Sequence, residues 1–353
     1  MKIAMITDQH FGVRNGSKFF LDNYEKFYNE IFFPTIDELG ITHLWMLGDF
    51  WEYRTRIDVV TLWRAQEIFL DRLEERGIQV TIIYGNHDVA YKNRNDINSI
   101  DFLAKMYKNI HVVKTHETIE FDGTPVNFLS WVNNSNLADS LEFIKNCPPT
   151  ILCGHFEIKS FEMIKGHVCE HGFDKSLFDR FDQVYSGHFH TVSTDGRIFY
   201  ISNPSQTNWS DYGLDKGFRI FDTTTRELEF VPNPFDVYSK IAYNDDIDIV
   251  EFDYDGYADK IVRVYVQSYS STNQHKLSLF LEKLNKVVYS ADLIEIDETQ
   301  FNSETGDLQF VDNHELIEKY IEEVVQSPTI DKNVLKGMFK EMYREALDMA
   351  ETE

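Results

Sequence analysis

The stretch Leu44-Trp45-Met46-Leu47-Gly48-Asp49-Phe50 decides how the N-terminal part of this chain folds. Its four apolar residues predict a buried strand, and the glycine and the single carboxylate that follow mark the end of that strand. A buried carboxylate costs free energy unless it is paired or bound to a metal ion. We therefore expect Asp49 to bind metal, and to bridge two metal ions whose other ligands come from similar strand ends.

Four other apolar runs of the sequence end in the same kind of polar cluster. In α/β sheets, ligands gather beyond the carboxyl ends of the strands. We therefore expect these clusters to converge with Asp49 on one site. They are Asp8-Gln9-His10, Gly85-Asn86-His87-Asp88, Gly154-His155 and Gly187-His188-Phe189-His190.

The residue types in these clusters favour a pair of divalent metal ions. Because side chains i and i+2 of an extended segment point the same way, Asp8 with His10 and His188 with His190 can each present two ligands to one side. Carboxylate, amide and imidazole ligands suit Mn²⁺, Fe²⁺ or Zn²⁺ better than Ca²⁺. Two such ions, about 3.5–4 Å apart, can activate a hydroxide and stabilise an in-line displacement at phosphorus. Each motif alone is as compatible with an ordinary turn, but five in one chain predict a metal centre.

Composition sets broader limits on what the protein can be. With 353 residues, the chain can hold one large domain and one or two small ones. A formal charge of −25 argues against a freestanding nucleic-acid coat or a membrane binder, although it does not exclude a nuclease. The sequence has no apolar stretch long enough to span a bilayer and no signal peptide, so we expect a cytoplasmic protein with no membrane partner. Its three cysteines lack a CxxC spacing and predict no disulfide framework.

The order of predicted elements indicates an α/β fold with four parts. Residues 1–235 alternate strands and helices and then turn strand-rich, which is typical of an α/β sandwich. Helices are predicted near residues 20–39, 58–76 and 97–107. Residues 236–298 predict a small α/β module, 299–312 a polar linker, and 313–353 two amphipathic helices. In the second helix we expect one apolar face, formed by Val59, Leu62, Trp63, Ile68, Phe69 and Leu73.

The two C-terminal helices are predicted to form an interface. Apolar residues recur at i, i+1, i+4 and i+5 within 316–325 and again within 334–347, and Ser327-Pro328 separates the two runs. Two short helices that pack only on each other would leave apolar surface exposed, and such surface usually marks a binding site. The alternative is that they fold back onto the small α/β module.

The ordered set of five motifs resembles that of the calcineurin-like metallophosphoesterases. Within that superfamily the chain is most similar to the SbcD-type double-strand-break repair nucleases, in the form that T-even bacteriophages encode. The motifs cover roughly the first 190 residues, and the step Lys216-Gly217-Phe218 extends the resemblance toward the C-terminal parts. The resemblance implies a metallophosphoesterase β-sandwich flanked by helices, a small α/β capping domain that binds DNA, and a C-terminal helical pair.

The resemblance also implies a role for each site residue. His87 would be the catalytic histidine that protonates the leaving oxygen or steadies the scissile phosphate. Asp88 could orient His87, or equally cap the turn. The expected ions are Mn²⁺, with Mg²⁺ as the alternative. One ion would be held by Asp8, His10, Asp49 and His190, and the other by Asp49, Asn86, His155 and His188.

The activity implied is that of a 3′–5′ exonuclease and single-strand endonuclease, acting in the host cytoplasm if the chain is phage-encoded. It would act with an SbcC-type coiled-coil ATPase on the C-terminal helices, and as a homodimer built on helices near 58–76 and 97–107. Many cellular relatives carry a second histidine shortly after the bridging aspartate, where this chain has Phe50-Trp51-Glu52. The alternatives are a phosphatase that uses the same site and a scaffold whose metal site no longer turns over.

Overall fold

The computed structural model describes residues 1–164, 166–266 and 272–295, together with Lys332 and Leu335. Two compact units are present, the first from Met1 to Asp236 and the second from Val237 onward. The predicted linker 299–312 lies outside the described residues, as does the predicted helical pair 313–353 apart from those two residues. Within the part of the chain that is described, no helix has both the length and the apolar character needed to cross a membrane.

The first unit is built on two six-stranded sheets, and the first of these carries three of the predicted strand ends. Strands β1, β2, β3 and β6 run parallel, and β15 pairs antiparallel with β1. The polar residues that follow β1, β2 and β3 therefore emerge side by side at one edge. Numbered in chain order and given in spatial order, the strands are β16 (Leu228–Pro232), β15 (Gly217–Asp222), β1 (Lys2–Ile6), β2 (His43–Met46), β3 (Gln79–Ile83) and β6 (Ile110–Val113).

The second sheet supplies the other two strand ends. Strand β9 is parallel to both β8 and β12, so the ends of β9 and β12 are neighbours. In spatial order its strands are β13 (Ser193–Thr194), β14 (Ile198–Tyr200), β12 (Gln183–Gly187), β9 (Ile151–His155), β8 (Thr124–Leu129) and β7 (His116–Phe121). Two small two-stranded ribbons complete the unit: β4 (Val89–Tyr91) with β5 (Arg94–Asn98), and β10 (Glu162–Ile164) with β11 (His167–Val168).

Apolar side chains from both sheets meet between them and form the main core. Trp45 of β2, Phe128 of β8 and Tyr185 of β12 are fully buried there. On the outer face of the first sheet, the Phe32 ring packs 4.8 Å from the Phe218 ring, and on the outer face of the second sheet the core includes Ile144. The prediction of a β-sandwich flanked by helices is therefore confirmed.

The three helices predicted in the first unit are present, but the sequence analysis missed the helix Leu137–Asn146 and a π-helical turn in each of the first two predicted helices. The stretches 18–38 and 59–75 are each interrupted by a π-helical turn, at Tyr28–Phe32 and Gln66–Leu70 respectively. The rings of Tyr28 and Phe69, one from each π turn, pack 4.5 Å apart. The helices are α1 (Lys18–Phe27), α2 (Phe33–Glu38), α3 (Val59–Ala65), α4 (Asp71–Glu75), α5 (Ile100–Met106) and α6 (Leu137–Asn146), with shorter turns at Val13–Gly16, Lys175–Phe178 and Trp209–Asp211.

The residues expected to share one apolar face over 58–76 do not share one environment, because only those in the second half of the stretch are buried. Ile68, Phe69 and Leu73 are buried, but Val59 is 81% exposed and Trp63 is 68% exposed. A π turn accommodates one residue more than an α turn, which shifts the residues before it by roughly 100° relative to those after it. The 3.6-residue period therefore does not continue through the helix, and Val59 and Trp63 face solvent.

The second unit contains a three-stranded parallel sheet and one helix. The sheet order is β17 (Tyr238–Tyr243), β18 (Ile261–Val266) and β19 (Ser290–Glu295), and helix α7 (Gln274–Leu284) follows a short 3₁₀ turn at Asp255–Tyr257 and strand β18. Leu277 and Phe280 of the helix pack against Val262 and Val264 of the central strand. A strand, a helix and a further strand thus follow one another among the described residues of 261–295.

Candidate metal centre

The five polar clusters predicted from the sequence lie together at the carboxyl ends of β1, β2, β3, β9 and β12. Potential ligand atoms of Asp8, His10 and His190 all lie within 4.8 Å of one another, as do those of Asp49, His155 and His188. The structure thus brings together residues as far apart in sequence as Asp8 and His190.

In the first group, one carboxylate and two imidazoles converge. The Nε2 atoms of His10 and His190 are 3.1 Å apart. Asp8 Oδ1 lies 4.0 Å from Nε2 of His10 and 3.8 Å from Nε2 of His190. Two ring nitrogens and a carboxylate oxygen that face the same small volume are a donor set suited to a borderline divalent cation.

In the second group, an amide oxygen joins a carboxylate and two imidazoles. Asn86 Oδ1 is 3.1 Å from His155 Nε2 and 2.9 Å from His188 Nδ1. Asp49 Oδ2 lies 3.3 Å from His155 Nε2, and the same oxygen is 3.8 Å from His10 Nε2 in the first group. The carboxylate of Asp49 therefore faces both groups, and Asp8 Oδ1 also lies 4.0 Å from His155 Nε2.

The backbone of these residues adopts a conformation that ordinary residues avoid. Asp8, His10 and Asp49 have φ values of 50°, 48° and 51°, and His188 has a φ of 86°. Holding a non-glycine residue in the left-handed region costs roughly 1–3 kcal/mol, and such strain clusters at functional sites. Four strained residues around one small volume indicate that the surrounding strands hold these side chains in place against a local preference.

Two glycines allow the strand ends to approach each other closely. A Cβ atom on Gly85 would lie 2.1 Å from Asp49 Oδ1, and a Cβ atom on Gly187 would lie 2.1 Å from Thr7 Oγ1. Neither neighbour could move away without displacing a site residue, because Asp49 belongs to the site and Thr7 precedes Asp8. These positions therefore require glycine for steric reasons.

Hydrogen bonds to backbone carbonyls fix how two of the histidines present their rings. Nδ1 of His155 lies 2.8 Å from the Leu47 carbonyl oxygen, and Nδ1 of His87 lies 2.6 Å from the Glu52 carbonyl oxygen. Since a carbonyl only accepts, each Nδ1 carries a proton, and in the neutral ring Nε2 keeps its lone pair. This is the tautomer in which Nε2 can bind a metal ion or, for His87, exchange a proton with a substrate.

Two histidines of the site are charged in the absence of metal. Burial disfavours a charge on His10, but the carboxylate of Glu52 outweighs it and raises the pKa of His10 to about 10. Burial also opposes a charge on His155, yet Asp49 and Asp8 raise its pKa to about 9. These two imidazolium groups compensate the buried carboxylates.

Two further histidines of the site, His188 and His190, are neutral. Burial lowers the pKa of His188 well below its usual range, and the positive charge of His155 adds to this. Burial lowers the pKa of His190 to about 3, with a further contribution from His10. Their ring nitrogens are therefore available as ligands without loss of a proton.

These charges fit a divalent metal centre. Among the described residues, the ion pairs of Asp8, Asp49 and Glu52 are all with histidines. Bound cations would replace the protons of His10 and His155, so binding would release protons. Two bound divalent ions supply Lewis-acid stabilisation and an activated hydroxide for displacement at phosphorus.

The structure corrects one of the two roles that we expected for Asp88. Its carboxylate accepts the backbone amides of Asp49 and Gly85, each at 2.8 Å, and that of Phe50 at 3.0 Å. Its described hydrogen bonds do not include one with the His87 ring, which instead contacts the Glu52 carbonyl. Asp88 therefore caps the turns that carry the site residues, and the expectation that it orients His87 was wrong.

Two residues of the site were missed in the sequence. Glu52 is only 6% exposed, and its Oε2 lies 2.8 Å from His10 Nδ1. Lys216, which is 4% exposed, donates to the backbone carbonyl of His190 at 2.8 Å. In the sequence, Glu52 follows two aromatic residues and Lys216 precedes a glycine. Neither context indicates burial, because charged residues are usually exposed.

Comparisons with known proteins are consistent with this geometry. The family model of the calcineurin-like phosphoesterases matches residues 1–192. Over 308 residues the chain is 30% identical to exonuclease subunit 1 of Enterobacteria phage T4, a match that covers 87% of this chain and 88% of that protein. A solved structure described as a novel archaeal phosphodiesterase aligns with 66% of this chain and 100% of its own, at 13% identity and a TM-score of 0.34. From a match at that TM-score we transfer nothing.

Proposed function

The chain belongs to the calcineurin-like phosphoesterase family, and we propose that it is a two-metal nuclease that acts on DNA. Its membership makes it a metal-dependent phosphodiesterase. We propose DNA as the substrate because of the length of the match to a phage exonuclease subunit. That match spans 308 residues, whereas the first unit, which holds the candidate metal centre, has only 236. A phosphatase acting on small molecules would have no need of the additional residues.

We assign one metal ion to Asp8, His10, Asp49 and His190, and the other to Asp49, Asn86, His155 and His188. The assignment is supported by the two groups of converging ligand atoms and by the carboxylate of Asp49, which faces both. We expect Mn²⁺ to be the preferred ion, with Mg²⁺ as the alternative, because the donors are oxygens and imidazole nitrogens.

His87 is the residue that we propose to act on the leaving group. Its Nδ1–H is held by the Glu52 carbonyl, and its ring lies edge-on to that of His10, with 4.9 Å between the centroids. Nε2 is left to face the substrate. When it also carries a proton, it can give that proton to the departing sugar oxygen or donate a hydrogen bond to a phosphate oxygen beside the metal centre.

The activity is tested by incubating the purified chain with Mn²⁺ and DNA. Linear double- and single-stranded DNA labelled at the 3′ or 5′ end reports a 3′–5′ exonuclease, and circular single-stranded DNA reports an endonuclease. We expect both activities and none with EDTA. Hydrolysis of a phosphomonoester without cleavage of any DNA would instead support a phosphatase, and no turnover of either would support a scaffold. An Asp49→Ala variant prepared in parallel controls for contaminating nucleases.

An exposed apolar patch on α3 and α5 supports a homodimer. Val59 and Trp63 of α3 project into solvent, and Phe102 of α5 is 60% exposed. The two helices belong to one surface, because Gln66, directly after α3, donates a hydrogen bond to Tyr107, directly after α5. Exposed apolar patches rimmed by polar residues mark protein interfaces. The family resemblance implies a dimer built on the same two regions.

We also propose that residues 313–353 bind an SbcC-type coiled-coil ATPase. The proposal rests on the apolar stripes of the sequence and on the relative, which is itself named as a subunit. In this scheme the second unit caps the DNA, and the protein works in the cytoplasm of the infected host. Deleting residues 313–353 should abolish co-purification with the ATPase and leave Mn²⁺-dependent cleavage of single-stranded DNA intact. Normal ATPase binding by the truncated chain would contradict the assignment.

A further inference from the structure

Glu52 contacts two histidines of the candidate metal centre through two different parts of the residue. Its carboxylate lies 2.8 Å from Nδ1 of His10, and its backbone carbonyl lies 2.6 Å from Nδ1 of His87. Glu52 itself is held in place, because its amide donates to the Phe11 carbonyl at 3.0 Å. One buried residue thus contacts both an assigned metal ligand and the assigned catalytic histidine.

The carboxylate lies on the side of His10 that faces away from the metal ligands. Asp8, Asp49 and His190 approach Nε2 of His10, whereas Glu52 approaches Nδ1. The lone pairs of the two ring nitrogens point in different directions, so an ion bound at Nε2 is out of reach of a carboxylate at Nδ1. Glu52 would therefore contact His10 rather than an ion bound at Nε2. Potential ligand atoms of Glu52, His10 and His87 also lie within 4.8 Å of one another, so a third ion held by Glu52 is the competing possibility that the test must separate.

A carboxylate in this position has a defined effect on a ligand histidine. By accepting the proton of Nδ1 it keeps the lone pair on Nε2, orients the ring and makes Nε2 a stronger donor. Without metal, the Glu52 carboxylate and the His10 ring lie at ion-pair distance. With metal, the same contact would become a hydrogen bond from a neutral His10.

We propose that Glu52 is a positioning residue of the metal centre, which sets the tautomer and ring orientation of His10 through its side chain. The inference rests on the proposed two-metal site. It assigns to the segment Phe50-Trp51-Glu52 a role in metal affinity rather than in direct contact with DNA. The hydrogen bond between the Glu52 backbone carbonyl and His87 does not involve the Glu52 side chain, so it remains when that side chain is changed.

The test measures Mn²⁺ binding by isothermal titration calorimetry with the full chain, stripped of metal, at constant pH. Glu52→Gln keeps the shape of the side chain and removes its charge. We expect Mn²⁺ to bind about 10- to 100-fold more weakly at one of the two sites, which is the usual effect of removing a carboxylate behind a ligand histidine. Unchanged affinity at both sites would overturn the proposal.

A double-mutant cycle separates positioning from a general structural effect. If Glu52 acts through His10, the variant His10→Ala/Glu52→Gln should bind Mn²⁺ as His10→Ala alone does. If the two losses multiply, Glu52 acts by another route and the proposal is wrong. Loss of a third bound ion in Glu52→Gln would make Glu52 a ligand and would equally overturn it.

Three further samples make the outcome unambiguous. Glu52→Asp retains the charge but retracts it by roughly one bond length, about 1.5 Å, so an intermediate loss is expected even if Glu52→Gln folds poorly. Glu117→Gln is the matched control, because Glu117 pairs with His111 at 2.7 Å on the exposed surface and should leave Mn²⁺ binding unchanged. If the wild-type chain binds no Mn²⁺, or if Asp49→Ala binds it normally, the metal centre itself is misassigned, and both proposals fail.

Discussion

The carboxylate of Asp88 holds the turn that carries Asp49, since Asp88 Oδ2 accepts the Asp49 backbone amide at 2.8 Å. The same oxygen accepts the amide of Gly85 at 2.8 Å, and Oδ1 accepts those of Phe50 and Trp51 at 3.0 and 3.3 Å. A single buried side chain therefore joins the turns after β2 and β3. Burial raises the pKa of Asp88 to about 6, and the nearby charge of Asp49 adds to the shift.

Asp88→Ala should destabilise the protein and weaken metal binding together. The substitution leaves four buried backbone amides without their acceptor, and each such group costs about 1–3 kcal/mol unless water reaches it. We expect a loss of about 3 kcal/mol or more in the free energy of unfolding, measured with urea in EDTA. Asp96→Ala is the control, because Asp96 is exposed and pairs only with Arg94 among its described contacts. A stability equal to that of wild type would show that Asp88 does not clamp these turns.

Asp49→Ala and His188→Ala should each abolish Mn²⁺-dependent DNA cleavage. Asp49 faces both ligand groups, and His188 lies beside Asn86 and His155 in the second. Removing either leaves at least one ion without a full ligand set. The measurement is release of labelled nucleotides at saturating Mn²⁺, with His111→Ala as an exposed histidine control. Full activity in either variant would contradict the two-metal assignment.

The sequence predicted the centre of this site well because its signals are local. Asp49 and Asn86 each stand just beyond an apolar strand, and parallel strands bring such ends to one edge of a sheet. Asp8 and His10 do face one group, but with φ values of 50° and 48° rather than on the extended backbone that the prediction assumed. These residues could be identified without knowing how the two sheets pack, because each polar cluster directly follows an apolar stretch that predicts a strand.

What the sequence did not reveal depends on contacts between distant segments. In the sequence, Glu52 and Asp88 look like ordinary acidic loop residues. Only the structure shows the contact of the Glu52 carboxylate with His10 and the four backbone amides that donate to Asp88. The exposed face at Val59 and Trp63 was missed for a different reason. The π turn at Gln66–Leu70 changes the helical period, and no residue type in the sequence predicts such a turn.

His87→Ala should retain both metal ions and lose most of the cleavage. The ring of His87 is tied to the Glu52 carbonyl, while its backbone amide, which the substitution preserves, donates to Asp49 Oδ1 at 2.8 Å. General acid–base groups contribute about 10²- to 10⁴-fold to rate. We expect a loss of that size in kcat with unchanged Mn²⁺ content, measured by single-turnover cleavage and metal analysis. Loss of metal along with activity would make His87 a ligand or a structural residue.

Trp63→Asp should convert the proposed homodimer into a monomer. Trp63 is exposed in the isolated chain, so a charge at this position costs little in the monomer but would be buried without a partner in the dimer. The molar mass in solution, measured by light scattering after size exclusion, should fall by half. Leu141→Asp on α6 serves as the control, because it introduces the same charge at a different, partly exposed apolar residue. If the wild-type protein is already a monomer in this measurement, the proposed dimer interface is wrong.

Lys216 and Asp211 form a buried ion pair beside His190. Lys216 Nζ lies 2.6 Å from Asp211 Oδ1 and also donates to Asn203 Oδ1 at 2.6 Å. Burial would raise the pKa of Asp211, but the charge of Lys216 outweighs it and lowers the pKa to about 2. A folded-state pKa below the unfolded value of about 3.9 gives stability that is complete above pH 4 and is lost as the pH falls through 2.

Lys216→Met should reverse that pH dependence. Without the ammonium group, burial dominates, and the pKa of Asp211 should rise above its unfolded value. A raised pKa means that the folded state binds more protons, so the stability of the variant should fall as the pH rises from 5.5 to 8. Breaking a buried ion pair costs about 3–5 kcal/mol, and we expect a loss of that order at pH 8 and a smaller one at pH 5.5, measured by urea unfolding. Lys286→Met, which removes an exposed partner of Glu282, should change stability by less than about 1 kcal/mol at either pH. A loss from Lys216→Met that is greater at pH 5.5 would show that Asp211 is stabilised by groups other than Lys216.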